Sequence, residues 1–270
     1  MELNTEIKGQ GDPILCLHGH PGCIASMSVF TDYLSQQYQT ITPDLRGYGK
    51  SFYRQDFVMQ EHLTDIIALL DRLKIDKCLV LGWSLGGIIS MELALSAPER
   101  FSALILVATA AHPLSSHPKE TWQDLLFTAI AGIVNYLKPA WQWNIDTFGK
   151  RSLFRYLIQK HQPETYLYLA KEAVPAYLQT SQGANKALSQ AINQGYNRLS
   201  EVEQIKIPCL MLSAEGDRHI TADASRQTAA HLPDCEYINY PGVAHLFPWE
   251  IPQQVRQDIQ AWLARSSEKY

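Results

Sequence analysis

Between Lys77 and Met91 the chain reads KCLVLGWSLGGIISM. The run Cys78-Leu79-Val80-Leu81 is apolar without alternation, as expected of a strand buried on both faces. It breaks at Gly82-Trp83-Ser84-Leu85-Gly86-Gly87 and resumes from Ile88 to Leu95 with the apolar density of a buried helix. A serine set two residues from a glycine on either side, at a strand-to-helix turn, fits a G-x-S-x-G nucleophile elbow. Such a turn brings the backbone so close that only residues without a Cβ fit. The serine hydroxyl is then held beside the positive end of the following helix. The pattern by itself would arise by chance on the order of 0.1 times in a chain this long. Its partners elsewhere in the sequence decide its meaning.

The 270 residues are 46% hydrophobic and 19% charged, which suits one globular α/β domain with an inserted subdomain. A net charge of −4 and a pI near 6.1 give no reason to expect nucleic acid or an anionic membrane as partner. The five cysteines (16, 23, 78, 209, 235) are odd in number and lack C-x-x-C spacing. Three of them lie in apolar runs, so core thiols are expected and neither a disulfide framework nor a zinc site. No basic stretch followed by an apolar one opens the chain, so no signal peptide is expected. The longest apolar segment, Leu125 to Leu137, contains Thr128 and Asn135 and is too short to span a bilayer. These features predict a cytoplasmic protein with no integral membrane segment.

Strand and helix patterns alternate through the first part. Glu2 to Lys8 reads as an edge strand, and Ile14 to Leu17 as a buried strand ending in His18-Gly19-His20-Pro21-Gly22. Ile24 to Gln37 reads as a helix, and Gln39 to Thr42 as a strand entering the glycine-rich loop Asp44 to Ser51. Apolar residues at 63, 66, 67, 69, 70 and 73 predict a helix laid on a sheet. Phe101 to Thr109 reads as a fully buried strand. Strands separated by helices imply a mainly parallel central sheet flanked by helices.

The rhythm changes over 111–199, where no strand pattern occurs. Helices are predicted at Trp122–Leu137, Ser152–Lys160, Glu164–Leu178 and Ala184–Gln194, and aromatic residues are concentrated there. This predicts an α-helical cap (111–199) inserted between a first core segment (1–110) and a second (200–270). The sheet pattern returns at Ile207 to Ala214, followed by a helix over Thr221–His231, a strand over Cys235–Tyr240 and a last helix with apolar positions 251, 255, 259 and 262/263. Ser266 to Tyr270 are expected to fray.

A serine hydroxyl needs a base to take its proton, and the base needs a carboxylate to fix its tautomer. In open parallel sheets the loops after the strands converge on one crevice. Three such loops carry Ser84, Asp217 and His245, in the order Ser, Asp, His. Glu215 and Asp223 compete with Asp217, but the first sits at the strand end and the second in the next helix. His219 competes with His245, but two residues from the acid it is expected at the surface or at a pocket rim. His18 is expected to hold the loop backbone. His20 is read as offering its N–H, with its ring either in the pocket or out of it. Asp44 and Arg46 are expected to tie loops together.

Taken together, His18-Gly19-His20-Pro21-Gly22, the D-x-R-G-x-G-x-S loop at Asp44–Ser51, the elbow, Pro98-Glu99-Arg100-Phe101, Gly216-Asp217, and His245 with Glu250 and Pro252 resemble the α/β-hydrolase fold family. The likeness is to its serine-nucleophile branch with a helical cap, and it covers essentially the whole chain. Two departures are Ala244, where members often have glycine, and one edge strand fewer at the N-terminal side. The resemblance implies that Ser84 attacks an acyl carbonyl, that His245 acts as general base and then acid, and that Asp217 orients it. It implies an oxyanion hole from the backbone N–H groups of His20 and Leu85. Pocket candidates are Trp83, Trp141, Trp143 and Leu246.

The implied activity is hydrolysis of a carboxylic ester with a hydrophobic part, through an acyl-enzyme and without cofactor or metal. Serine at 84 argues against haloalkane dehalogenases and epoxide hydrolases, whose pattern places aspartate there. The elbow lacks the G-G-S-W-G pattern of proline iminopeptidases. Carbon–carbon bond hydrolases and cofactor-free haloperoxidases (perhydrolases) share the same triad. A different class of function, a ligand receptor on the same fold, is separated by reaction with an organophosphonate, which labels only an activated serine. A membrane-surface lipase is a weaker fit, because no basic amphipathic helix appears in the cap.

Overall fold

The structure, a computed structural model, describes residues 1–267. In chain order its elements are β1 (Thr5–Lys8), β2 (Pro13–Leu17), α1 (Ser28–Leu34), β3 (Gln39–Pro43), α2 (Gln60–Arg72), β4 (Cys78–Trp83), α3 (Leu85–Ser96) and β5 (Phe101–Val107). Helices α4 (Trp122–Leu137), α5 (Gln142–Thr147), α6 (Pro163–Tyr168), α7 (Val174–Gln179) and α8 (Gln182–Asn193) follow. The chain closes with β6 (Cys209–Ala214), α9 (Ala222–His231), β7 (Cys235–Tyr240), α10 (Phe247–Glu250) and α11 (Pro252–Ser267). The sheet runs β1-β3-β2-β4-β5-β6-β7, with β1 antiparallel to β3 and every other neighbouring pair parallel.

The apolar runs of the central strands lack alternation because both faces of the sheet are covered. Cys16, Leu81, Ile105 and Leu210 pack under α1 and α11, against Phe30, Ile259 and Leu263. Their neighbours Leu17, Val80, Leu104 and Met211 face the other way, against Ile66 of α2 and Ile89 of α3. The five thiols are all free, and Cys16, Cys78 and Cys209 are buried.

Several elements are shorter or more broken than their apolar patterns suggest. The segment expected as a helix from Ile24 begins as a 3-10 turn, Ile24–Met27, before α1. The helix expected over Ser152–Lys160 is only a 3-10 turn, Leu153–Tyr156, which Ser152 caps by accepting a hydrogen bond from Phe154 N at 3.2 Å. The helix expected over Glu164–Leu178 is interrupted by a π turn, Leu169–Ala173, between α6 and α7. Pro175 has no N–H to return to the preceding turn, and the ladder changes register just ahead of it. The frayed tail expected from Ser266 falls mostly outside the described residues, at 268–270, while Ser266 and Ser267 continue α11.

Candidate active site

Ser84 stands at the junction of β4 and α3 with φ 54° and ψ −116°, a left-handed conformation rare for a residue with a Cβ. The neighbouring elements hold it there. Ser84 N donates to Val107 O at 2.8 Å, and Ser84 O accepts from Gly87 N at 2.9 Å and Ile88 N at 3.3 Å. A Cβ on Gly86 would lie 2.1 Å from Leu17 O, and one on Gly82 would lie 2.4 Å from Gly86 O. Gly86 is therefore required by close approach to β2, and Gly82 by close approach of β4 to the first turn of α3.

Beyond the C-terminal end of β6, Asp217 is buried and each of its carboxylate oxygens is used. Oδ1 accepts from His219 N at 2.8 Å and Ile220 N at 3.0 Å, while Oδ2 lies 2.7 Å from His245 Nδ1. A carboxylate can only accept, so the proton between them sits on Nδ1 and leaves His245 Nε2 as the ring's free nitrogen. His245 stands on the loop after β7, and that loop is pinned by a residue of α10. Glu250 is buried, and one of its oxygens accepts from Ala244 N at 2.8 Å. Its other oxygen accepts from the N–H groups of Gln159 and Lys160. Burial raises the Glu250 carboxyl above the ordinary carboxylate range, and these three N–H groups oppose that rise.

Ser84 and His245 meet as walls of one cavity of about 470 Å³. Among the hydrogen bonds of the described residues there is none between their side chains. The rest of the lining is largely aliphatic: Ile88 from the elbow helix, and Leu157, Leu169, Leu188 and Ile192 from the helical stretch between β5 and β6. Of the residues expected at a pocket, Trp83 and Leu246 are in this wall, and Trp83 packs 5.9 Å from the His245 ring. Trp141 and Trp143 are not; they lie on the outer surface, 4.8 Å from one another. His20 and Leu85 both line the cavity, and their N–H groups have no acceptor in the chain among the described residues.

The histidines divide by what their rings touch. His18 is fully buried, with Nδ1 2.8 Å from Gly19 O and Nε2 accepting from Leu45 N at 3.1 Å. Those two partners fix the neutral Nδ1–H tautomer, and burial lowers its pKa. His20 Nδ1 is 2.8 Å from Tyr48 OH; burial and then the neighbouring His18 bring its pKa down to about 4. His219 is exposed and lines the cavity, the rim position expected of it. Its ring is 5.0 Å from that of His245, and its Nδ1 is 3.0 Å from His117 Nε2. The surrounding protein, then His245 and His117, lower its pKa. Asp44 joins three segments, accepting from Asn4 Nδ2 at 2.7 Å, Ile24 N at 2.7 Å and Lys50 N at 2.8 Å. Arg46 ties the same loop to α2 through Asp65, with Nε–Oδ2 2.7 Å and Nη2–Oδ1 2.8 Å. Among the described residues no group of three or more His, Cys, Asp or Glu side chains is arranged to hold a metal ion.

A parallel sheet with an antiparallel edge strand, a serine elbow after the central strand and an Asp–His pair on the loops beyond it define an α/β hydrolase. Residues 12–252 match the model of the alpha/beta hydrolase fold family, and the chain belongs to that family. The chain is 26% identical over 254 residues to an uncharacterized hydrolase, YugF, of Bacillus subtilis, covering 91% of this chain and 88% of that one. It is also 26% identical over 259 residues to the pimeloyl-[acyl-carrier protein] methyl ester esterase of Nitrosomonas europaea, covering 93% and 96%. Among solved structures, the fold is shared with a thermophilic esterase from Thermogutta terrifontis (TM-score 0.73, 22% identity, 98% and 93% covered). It is shared equally with the enol-lactonase of Burkholderia xenovorans (TM-score 0.75, 18% identity, 97% and 96% covered).

Proposed function

We propose that this hydrolase cleaves carboxylic esters of small hydrophobic molecules through an acyl-enzyme on Ser84, with His245 as general base and acid and Asp217 as its orienting carboxylate. The observation that carries the reading is the shared cavity: a strained serine and a histidine already bonded to a buried carboxylate open into one apolar space. In the reaction Ser84 Oγ attacks the acyl carbon while His245 Nε2 takes its proton. The imidazolium, steadied by Asp217, then protonates the departing alcohol, and water attacks the acyl-enzyme by the same route. The free N–H groups of His20 and Leu85 are assigned to the oxyanion. Each such donor lowers the barrier by about 3–4 kcal/mol. Residues 111–199 are assigned as a cap over the site, since Leu157, Leu169, Leu188 and Ile192 come from that stretch, with 1–110 and 200–270 as the hydrolase core. Relatives and fold neighbours named for work on esters and lactones support the reading at the level of the bond cut.

The test is hydrolysis of p-nitrophenyl esters of graded acyl length by wild type and Ser84→Ala. The variant is expected to lose on the order of 10³-fold or more in kcat. Each methylene that finds aliphatic wall contributes about 0.8 kcal/mol, so kcat/KM should rise roughly fourfold per carbon until the cavity is filled. If wild type turns over no ester while an organophosphonate still labels Ser84, ester hydrolysis falls and carbon–carbon cleavage or perhydrolysis takes its place. If neither occurs, the ligand-receptor reading replaces catalysis.

A further inference from the structure

Helix α4 turns its largest apolar side chains outward and keeps several polar ones against the protein. Three of its polar side chains, with Ala131, face the protein: Asp124 pairs with Arg155 at 2.8 Å, Thr128 accepts from Leu153 N at 2.9 Å, and Asn135 donates to Tyr166 O at 2.7 Å. Its outward face carries Trp122, Leu125, Leu126, Ala129, Ile133, Tyr136 and Leu137, all exposed. At 100° per residue these positions fall within an arc about 120° wide. The exposures are large: 72% for Trp122, 62% for Ile133, 57% for Tyr136 and 76% for Leu137. No charged residue occurs between Asp124 and Lys138. A surface helix in water shows the opposite arrangement, and a continuous exposed apolar face marks a site of interaction.

Its borders indicate what covers it. Trp122 stands at one end and Tyr136, Trp141 and Trp143 at the other, the residue types that settle at a membrane–water interface. Lys138 Nζ sits 4.1 Å over the Trp141 ring. From Trp122 to Arg155 there are four cations, Lys138, Lys150, Arg151 and Arg155, against two carboxylates, Asp124 and Asp146. Both carboxylates are paired, with Arg155 and Lys150, which leaves Lys138, at the aromatic border, and Arg151, on the turn after α5, without a carboxylate partner among the described residues. The surplus is positive on a chain whose net charge is −4. A second copy meeting this face about a twofold axis would set these cations against themselves; an anionic lipid surface would neutralise them. The sixteen residues of α4 span roughly 24 Å along the axis, and no described helix is long and apolar enough to cross a membrane.

We propose that the outward face of α4 lies flat in the headgroup region of an anionic lipid bilayer and makes this hydrolase a peripheral membrane protein. The whole-chain charge conceals this, because it averages a basic, aromatic border with an acidic remainder. The location also serves apolar substrates. α4 packs on the π turn Leu169–Ala173, whose Leu169 and Ala173 line the cavity, so the bilayer face is one helix away from the site.

The proposal is independent of ester hydrolysis, since binding is read without substrate. The experiment is flotation of the full chain with phosphatidylcholine vesicles, with and without phosphatidylglycerol. Wild type is expected to float with the anionic vesicles, more weakly at high salt, and to stay down with the neutral ones. Ile133→Glu/Leu137→Glu, with an unchanged circular dichroism spectrum, is expected to lower the vesicle-bound fraction at least tenfold. Lys138→Glu, outside the helix, is expected to lower it to the neutral-vesicle level, which keeps the test should the double variant fail to fold. Failure of wild type to float, or equal flotation with both vesicles, overturns the proposal. So does a dimer in light scattering that Ile133→Glu/Leu137→Glu splits, which would assign the face to a second copy.

Discussion

At the scale of single residues, the geometry of the site also rests on Glu250, which does not face the cavity. Its two oxygens hold Ala244, beside His245, and the backbone at Gln159 and Lys160. In Glu250→Gln the amide turns one N–H pair toward backbone donors, leaving buried N–H groups unsatisfied at about 1–3 kcal/mol. The His245 loop should shift, since Glu250 itself does not line the cavity. We expect kcat on a p-nitrophenyl ester to fall by about 10- to 100-fold with KM within about threefold, the split expected when geometry rather than substrate binding is lost. A KM rise at constant kcat would place Glu250 in the binding surface instead. That Ser84, Asp217 and His245 come together was legible in the sequence because each follows a strand pattern, at the end of the sheet where loops converge. The work of Glu250 was not, because two of its partners lie about ninety positions away in the chain. The rim position of His219 was legible too: it is exposed and lines the cavity, with its ring 5.0 Å from that of His245.

At the scale of elements, the elbow is the most constrained junction. Gly86→Ala would place a methyl 2.1 Å from Leu17 O, on the strand that also carries the His18–Gly22 loop. Neither side of that contact is a flexible side chain, so α3 and β2 must part. A destabilisation of about 3–5 kcal/mol is expected, lowering the thermal midpoint by on the order of 10 °C, with esterase activity lost at temperatures where the variant stays folded. A midpoint within about 2 °C of wild type would sink the argument. The core strands were legible because burial on both faces removes alternation, and only a parallel sheet between helices does that. The helices between β5 and β6 were legible as helices but not in their breaks or orientation. Apolar density locates α4 equally well whichever face is buried, so the outward turn of its large apolar side chains and the outward placement of Trp141 and Trp143 had no sequence signal. Tyr168 stacks on Trp249 at 4.1 Å, and Trp249 meets Trp83 at 4.7 Å. That aromatic ladder couples α6, α10 and the elbow through residues that no local pattern relates.

At the scale of the whole molecule, the response to acid comes from buried histidines, three of which pack around Tyr48 under the candidate site. His18 and His20 sit 5.2 and 5.7 Å from its ring, and His62 lies 6.2 Å from it and 5.1 Å from Phe57. Burial leads in lowering all three pKa values, to about 4 for His20 and about 3 for His62. His62 Nδ1 has no hydrogen-bond partner among the described residues. Unfolded histidine titrates near 6.5, so between that value and the folded pKa the unfolded chain binds the extra protons. The histidine contribution to stability is therefore complete above about pH 6.5 and is lost as pH falls toward the folded values. Glu172 acts in the opposite sense. Burial raises its carboxyl to about 7, so its contribution is complete below the unfolded value near 4.5 and lost as pH rises through 7. Glu172 and Glu250, both raised by burial, are set against six histidines lowered by it (18, 20, 62, 117, 161 and 219), which leaves the net slope with the histidines. From about pH 6.5 to pH 5 the unfolding free energy should drop with a slope approaching 1.4 kcal/mol per pH unit for each histidine. Urea unfolding across that window measures it. His62→Phe, which keeps a ring between Tyr48 and Phe57 and removes the titrating nitrogen, should flatten the slope by about one histidine's share. An unchanged slope in that variant would mean that acid acts elsewhere, and that the core around Tyr48 does not set the acid limit of the fold.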